Sequence, residues 1–215
     1  MLCSEQKNSE GVIESFSPNH FWKDRWTKEQ EKYIPCSLNI YKGNLKAIKA
    51  LILKHYVILK NTKVLDVGCG KGLYSEFYVR QGGNVSCCDI SEWVVGRMRG
   101  EGRKADLWDF SSEEEFPFGN QKYYLVHCAQ TLVHVVDDEK FKTACINLGR
   151  RVEKGGYIIL GDRFLPDRKI NKIHIKYRTV VDYIMEITKN TGIKFLDVIP
   201  SFPLGGRILI FRRGI

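Results

Sequence analysis

The 215-residue sequence contains no run of about 18 or more apolar residues, so it offers no candidate for a membrane-spanning helix. Its longest apolar stretch near the amino terminus, 50–59, is broken by Lys54 and His55. The first residues, Met1–Gly11, are polar and lack the apolar core of a secretory signal, so a cytoplasmic location is expected. No CxxC pair occurs, and the cysteines number seven, an odd count that argues against a disulfide scaffold. Several sit in apolar runs, where free cysteine packs as a small hydrophobe, so they read as reduced core residues and no metal site is expected. No internal repeat or low-complexity tract is present.

Acidic charge is scarce at both ends. Residues 1–60 carry 10 basic and 6 acidic side chains, residues 163–215 carry 11 and 4, and the stretch between them carries 13 and 15. The balanced middle suits a cofactor-binding unit, and the basic flanks suit either an anionic substrate or plain solvation. Residues 1–60 read as a helical or lid segment and 61–215 as the main domain. Phe21, Trp22, Trp26 and Tyr33 fall at roughly helical spacing, Pro35 interrupts that pattern, and Asn44 is placed to cap a helix over 45–59.

Strand-like and helix-like segments then alternate. Short apolar runs at 63–67, 85–90, 104–105, 123–129 and 157–161 read as strands. Periodic stretches at 73–81, 92–99, 137–152 and 179–189 read as helices, and 163–177 reads as irregular and basic. This alternation implies an α/β fold, a mostly parallel sheet with helices on both faces. The last two strands, 194–199 and 207–211, are joined by a link too short for a crossover helix. The final strand should therefore run antiparallel and insert beside its neighbours.

The chemistry concentrates at Asp66-Val67-Gly68-Cys69-Gly70-Lys71-Gly72, where the first buried strand runs into a glycine-rich turn and a helix. Glycine there permits close backbone approach to a ligand. Asp89 closes the second strand, where a carboxylate can accept hydrogen bonds from both ribose hydroxyls of an adenosine. A dinucleotide turn of the form G-x-G-x-x-G requires glycine at 73 or 75, and Leu73 and Ser75 stand there instead.

Glycine at every second position behind an acid resembles the class I S-adenosylmethionine-dependent methyltransferases. The resemblance runs from about residue 61 to the carboxyl terminus and rests on Val64–Gly72. It is extended by Val85–Glu92, Ala105-Asp106-Leu107, Gln130–Val135 and Val152–Gly156. It implies a three-layer αβα sandwich with a seven-stranded sheet, and S-adenosyl-L-methionine as cofactor. By position, Asp66, Gly68 and Gly70, with Cys69 and Gly72 in the same turn, would hold the methionine part. Asp89 and Ile90 would hold ribose and adenine, and Asp106 and Leu107 the adenine, with Asp109 as the alternative acid. Ala129 and Gln130 would line the sulfonium side. The sequence departs from the family in Tyr123-Tyr124, where Phe-Asp is common, and in a short helix after Asp89.

Transfer to an oxygen or a nitrogen is open: an amine acceptor needs only to arrive unprotonated, whereas a hydroxyl needs a base, and His134, just past the fourth strand, is the first candidate. His20 is the second and Asp162, at the end of the fifth strand, the third. His127, inside a strand, reads as a packed histidine. Residues 12–42 and 163–178 are read as substrate elements, since their aromatics and cations suit a small metabolite, phosphorylated or nucleotide-linked. An RNA or protein acceptor is the alternative. The segment after the fourth strand lacks an Asn-Pro-Pro-Tyr tetrapeptide, which lowers the base-N-methylation reading. A binding protein without turnover is also compatible with these motifs.

Overall fold

The computed structural model describes residues 35–172, 174–202 and 205–215. Helix α1 spans Pro35–Lys54. β1 (Lys63–Val67), α2 (Leu73–Arg80), β2 (Asn84–Asp89), α3 (Glu92–Gly100) and β3 (Lys104–Leu107) follow. Next come β4 (Tyr123–Ala129), a single 3-10 turn (Leu132–His134), α4 (Asp138–Arg151) and β5 (Val152–Arg163). A hairpin of β6 (Lys169–Lys172) and β7 (Ile175–Tyr177) precedes α5 (Val180–Thr191), β8 (Ile193–Phe202) and β9 (Gly206–Arg213).

Seven strands form one sheet in the order β3-β2-β1-β4-β5-β9-β8. β1 through β5 pair in parallel, and β9 runs antiparallel between β5 and β8. The expected antiparallel final strand is therefore present and inserted. The cause is the short 203–205 link, which leaves no length for a crossover. The order reverses between β1 and β4, so the carboxyl ends of these two strands open the crevice where α/β sheets hold ligands.

The sheet is apolar on both faces because helices cover both. On one side Ala47, Ile48 and Leu51 of α1 pack with Phe77 and Tyr78 of α2 against Val64, Leu125, Ile159, Ile208 and Ile210. On the other, Phe141, Ala144, Cys145 and Leu148 of α4 pack with Tyr183 and Ile187 of α5 against Leu65, Val126, Ile158, Leu160 and Leu209. Cys69, Cys87, Cys88, Cys128 and Cys145 are free and buried, as packed thiols should be.

The structure changes the reading of where the first helix starts, of Asn44 and of 163–177. Pro35 lies in the first turn of α1, where its missing N–H costs nothing, and so it opens the helix. Asn44 consequently lies inside α1, fully buried, and its amide donates to the Tyr74 hydroxyl at 2.8 Å in place of capping a helix end. The stretch 163–177 is not irregular throughout, since it contains the β6–β7 hairpin. Residues 1–34 lie outside the described residues, and with them His20, Trp22, Trp26 and most of the first substrate segment.

Candidate active site

β1 is buried from Val64 to Val67 and ends in the glycine turn. The backbone N–H groups of Gly68 and Cys69 donate to the Cys88 carbonyl at 2.8 and 3.1 Å, tying the turn to β2. Gly68 has φ +68°, and a Cβ there would lie 2.3 Å from the Thr131 hydroxyl, so only glycine fits between the turn and the segment after β4. Gly72 (φ +72°) performs a different task. A Cβ there would lie 2.9 Å from the Met98 side chain, so this glycine lets α3 pack against the turn.

Asp89 ends β2 and is 7% exposed. The Gly70 N–H donates to its Oδ2 at 3.0 Å and the Ser91 N–H to its Oδ1 at 3.0 Å. Burial pushes its carboxyl pKa up, and the backbone N–H groups of Gly70, Ser91 and Ile90 pull it back. Two carboxylate oxygens offer about four acceptor sites, more than these backbone donors fill, so the group retains room for a further donor. That is the requirement for gripping a vicinal diol. Ser91 also caps α3, its hydroxyl accepting from the Val94 N–H.

The turn and Asp89 form one wall of a cavity of about 330 Å³. Ile90, Trp108, Asp109, Phe110 and Ser111 line it from the β2 and β3 ends. Gln130, Thr131, His134, Val135, Val136, Asp137 and Lys140 line it from the segment after β4. Gln130 holds a left-handed backbone, φ +57°, an uncommon conformation for a side-chain-bearing residue. Its N–H donates to the Gly161 carbonyl at 2.6 Å and its side-chain amide donates to the same oxygen at 3.3 Å. The His134 Nδ1 donates to the His174 carbonyl at 2.9 Å. A carbonyl only accepts, so the proton sits on Nδ1 and Nε2 is the basic nitrogen.

Residues 64–156 match the family described as "Methyltransferase domain". The chain is similar to that family over those residues, 93 of its 215. A ubiquinone biosynthesis O-methyltransferase of Dechloromonas aromatica is 35% identical over 108 residues, 48% of this chain and 45% of that protein. The chain thus spans about half the length of such curated relatives. The magnesium protoporphyrin IX methyltransferase of Synechocystis PCC 6803, solved with bound S-adenosylmethionine, superposes with a TM-score of 0.69 at 18% identity, covering 94% of this chain and 100% of that one. A [4+2]-cyclase superposes at 0.62 with 13% identity, covering 78% and 80%. The same fold therefore serves more than one chemistry, and the site has to carry the functional argument.

Of the positions singled out in the sequence, Gly68, Gly70, Asp89, Ile90, Gln130 and His134 line one cavity. Other candidate positions lie elsewhere. The Asp66 carboxylate is 1% exposed and turned inward, accepting from the Ser75 hydroxyl and pairing with His127 Nδ1 at 2.9 Å. His127 is accordingly a packed histidine, its ring against Tyr74 and Tyr78. Cys69 is buried beneath the turn with Cys87, Val94 and Met98. Ala129 is buried at the end of β4.

Asp106 and Leu107 are not among the cavity-lining residues, whereas Asp109 is. β3 stays in register with β2 until Leu107 faces Asp89, so Asp106 stops one residue short of the rim. Its carboxylate accepts from Arg99 at 2.7 Å and from the Leu107 N–H at 2.9 Å. Asp109 Oδ1 instead accepts from the N–H and hydroxyl of Ser111 at 3.0 and 2.6 Å, which folds Phe110 over the cavity. The Asp109-Phe110-Ser111 turn signal just past the strand marks this position.

Asp162 is 1% exposed and bonds the Tyr183 hydroxyl at 2.9 Å. β5 continues past it to Arg163, so it lies inside the paired sheet, opposite Arg207. Burial pushes its carboxyl up to about 8, against the pull of the Tyr183 hydroxyl. Sequence reasoning passed over Trp108, Phe110, Val135 and Val136, the apolar walls of the cavity. It also passed over Arg178 as a single residue.

Proposed function

We propose that this chain transfers the methyl group of S-adenosylmethionine to an oxygen of a small organic acceptor, with His134 taking the acceptor's proton. One observation carries the reading. The Asp89 carboxylate, anchored by backbone N–H groups with acceptor capacity to spare, shares a cavity of suitable volume with His134.

The residues present fit the cofactor. Gly68 leaves open a space that any side chain would close against Thr131, and Gly70 and Asp89 border it. Asp89 would accept from the ribose hydroxyls, Ile90 and Phe110 would flank the adenine, and Asp109 would meet its amino group. Gln130 and Thr131 would lie along the methionine part. When bound, the cofactor supplies a methyl group on a positively charged sulfur, open to in-line attack. The protein's share is to hold the acceptor in line, exclude water and remove a proton.

Oxygen is favoured because His134 has its tautomer set with Nε2 basic, and because the sequence relatives are named O-methyltransferases. A small molecule is favoured over RNA by the bonding of the basic 163–178 segment. Arg168 pairs with Asp182, and Lys176 and Arg178 pair with Asp138, so these cations are engaged within the chain. Thermal-shift titration with S-adenosylmethionine, S-adenosylhomocysteine and NAD tests the cofactor: the first two should stabilise, and stabilisation by NAD alone would overturn the reading. Labelled methyl transfer to a panel of hydroxylated metabolites tests the acceptor class.

A further inference from the structure

Strand β7 is tied to the cavity wall at both ends. At its start the His174 carbonyl accepts from His134 Nδ1 at 2.9 Å, and the two imidazoles stack with centroids 5.9 Å apart. At its far end Arg178, 1% exposed, donates to the carbonyls of Val135, Val136 and Asp137 at 2.8, 3.3 and 3.3 Å. The same guanidinium donates to the Asp138 carboxylate at 3.2 and 2.9 Å and lies over the Phe141 ring at 4.0 Å. Between the two ends, Lys176 donates to Asp138 at 2.8 Å.

The carbonyls of Val135 and Val136 precede α4, so they have no place in its hydrogen-bond ladder. The residues that carry them line the cavity. A planar guanidinium with five fixed donors can span successive carbonyls and a carboxylate at once, whereas a lysine ammonium meets them as a point charge. Burying the cation is offset only while those acceptors stay in place.

We propose that Arg178 is a positioning residue for His134. By locking the end of β7 onto the 135–138 loop, it holds the His174 carbonyl against Nδ1 and so decides which ring nitrogen is basic. Left to itself in water, a neutral imidazole favours the proton on Nε2, which would put the lone pair on the wrong side. The proposal deepens the role given to His134 above, but the tautomer can be read whether or not methyl transfer is found.

The test is nitrogen-15 NMR of the histidine-labelled 215-residue chain at a pH where His134 is neutral, alongside turnover and S-adenosylhomocysteine affinity. The unsubstituted chain should show a single His134 tautomer with the proton on Nδ1. Arg178→Lys should give a mixed tautomer and a kcat lower by roughly tenfold, with cofactor-product affinity unchanged. A role confined to stability would lower Tm and leave the tautomer alone. Asp138→Ala removes a half-exposed carboxylate and should shift the tautomer the same way by less, and it carries the test if the lysine variant fails to fold. A pure Nδ1–H ring with unchanged kcat in whichever variant folds would overturn the proposal. A tautomer shift in a chain that transfers no methyl group would support the positioning and overturn the proposed reaction instead.

Discussion

The two walls of the cavity are built by different means. The wall of Gly68, Gly70 and Asp89 is held by backbone groups. Main-chain N–H donors fix the carboxylate, and glycine makes room at the turn. The wall of His134 to Asp137 is held by side chains and a carbonyl from a hairpin some forty residues further along the chain, chiefly Arg178 and His174. A backbone-held wall tolerates most substitutions except loss of its glycine or its acid. A side-chain-held wall depends on a distant residue and loosens with a single change there. Under the proposed function, the first wall would serve the cofactor and the second the acceptor.

Five substitutions break or sharpen that contrast. His134→Ala should reduce turnover by about a hundredfold or more while leaving S-adenosylhomocysteine affinity intact. Steady-state kinetics at the parent's rate would remove His134 from the chemistry. Gly68→Ala attacks the other wall through shape alone. The left-handed φ and the collision with Thr131 should lower unfolding stability by about 2 kcal/mol, and a denaturation midpoint equal to the parent's would show that the turn has slack. Asp89→Ala should weaken cofactor binding by roughly 1–3 kcal/mol with little change in fold, and calorimetry is the measurement.

Asp162 lies behind the second wall and predicts a pH effect. Its folded pKa is raised to about 8 by burial, against an unfolded value of about 3.9. The folded chain therefore keeps a proton that the unfolded chain releases. The stability this contributes is full below the unfolded pKa and lost as pH rises through the folded one. Asp162→Asn resembles the protonated acid, so it should match the parent near pH 4 and exceed it by about 1 kcal/mol or more near pH 8. A stability difference that does not vary with pH would refute the assignment. The smallest effect belongs to Arg168→Ala. That exposed pair with Asp182 should contribute no more than about 0.5 kcal/mol, and a larger loss in urea titration would mean that the hairpin is held more widely than through Arg178.

Legibility followed the same division. The glycine turn, the strand-end Asp89 and the antiparallel last strand were readable because each depends on residues close together in the chain. Asp109 in place of Asp106 was harder, since the choice turns on how far β3 runs alongside β2. Asn44 reads as a cap by residue type, but the tertiary structure buries it against Tyr74. The 163–177 stretch looked irregular because strands of four and three residues are too short to show an apolar alternation. Nothing local marks Arg178 as buried, because its acceptors are contributed by residues 135–138.

By itself the sequence determined the layered α/β architecture, the inserted antiparallel strand and the glycine turn beside Asp89 where we propose the cofactor lies. These follow from hydrophobic period, glycine and link length, all local properties. Only the tertiary structure decided that Asp66 serves the interior, that Asp162 lies inside the sheet, and that His134 has its proton directed by His174 and Arg178. Hydrogen bonds between side chains distant in sequence depend on where whole strands and hairpins dock, and no short stretch of sequence encodes that.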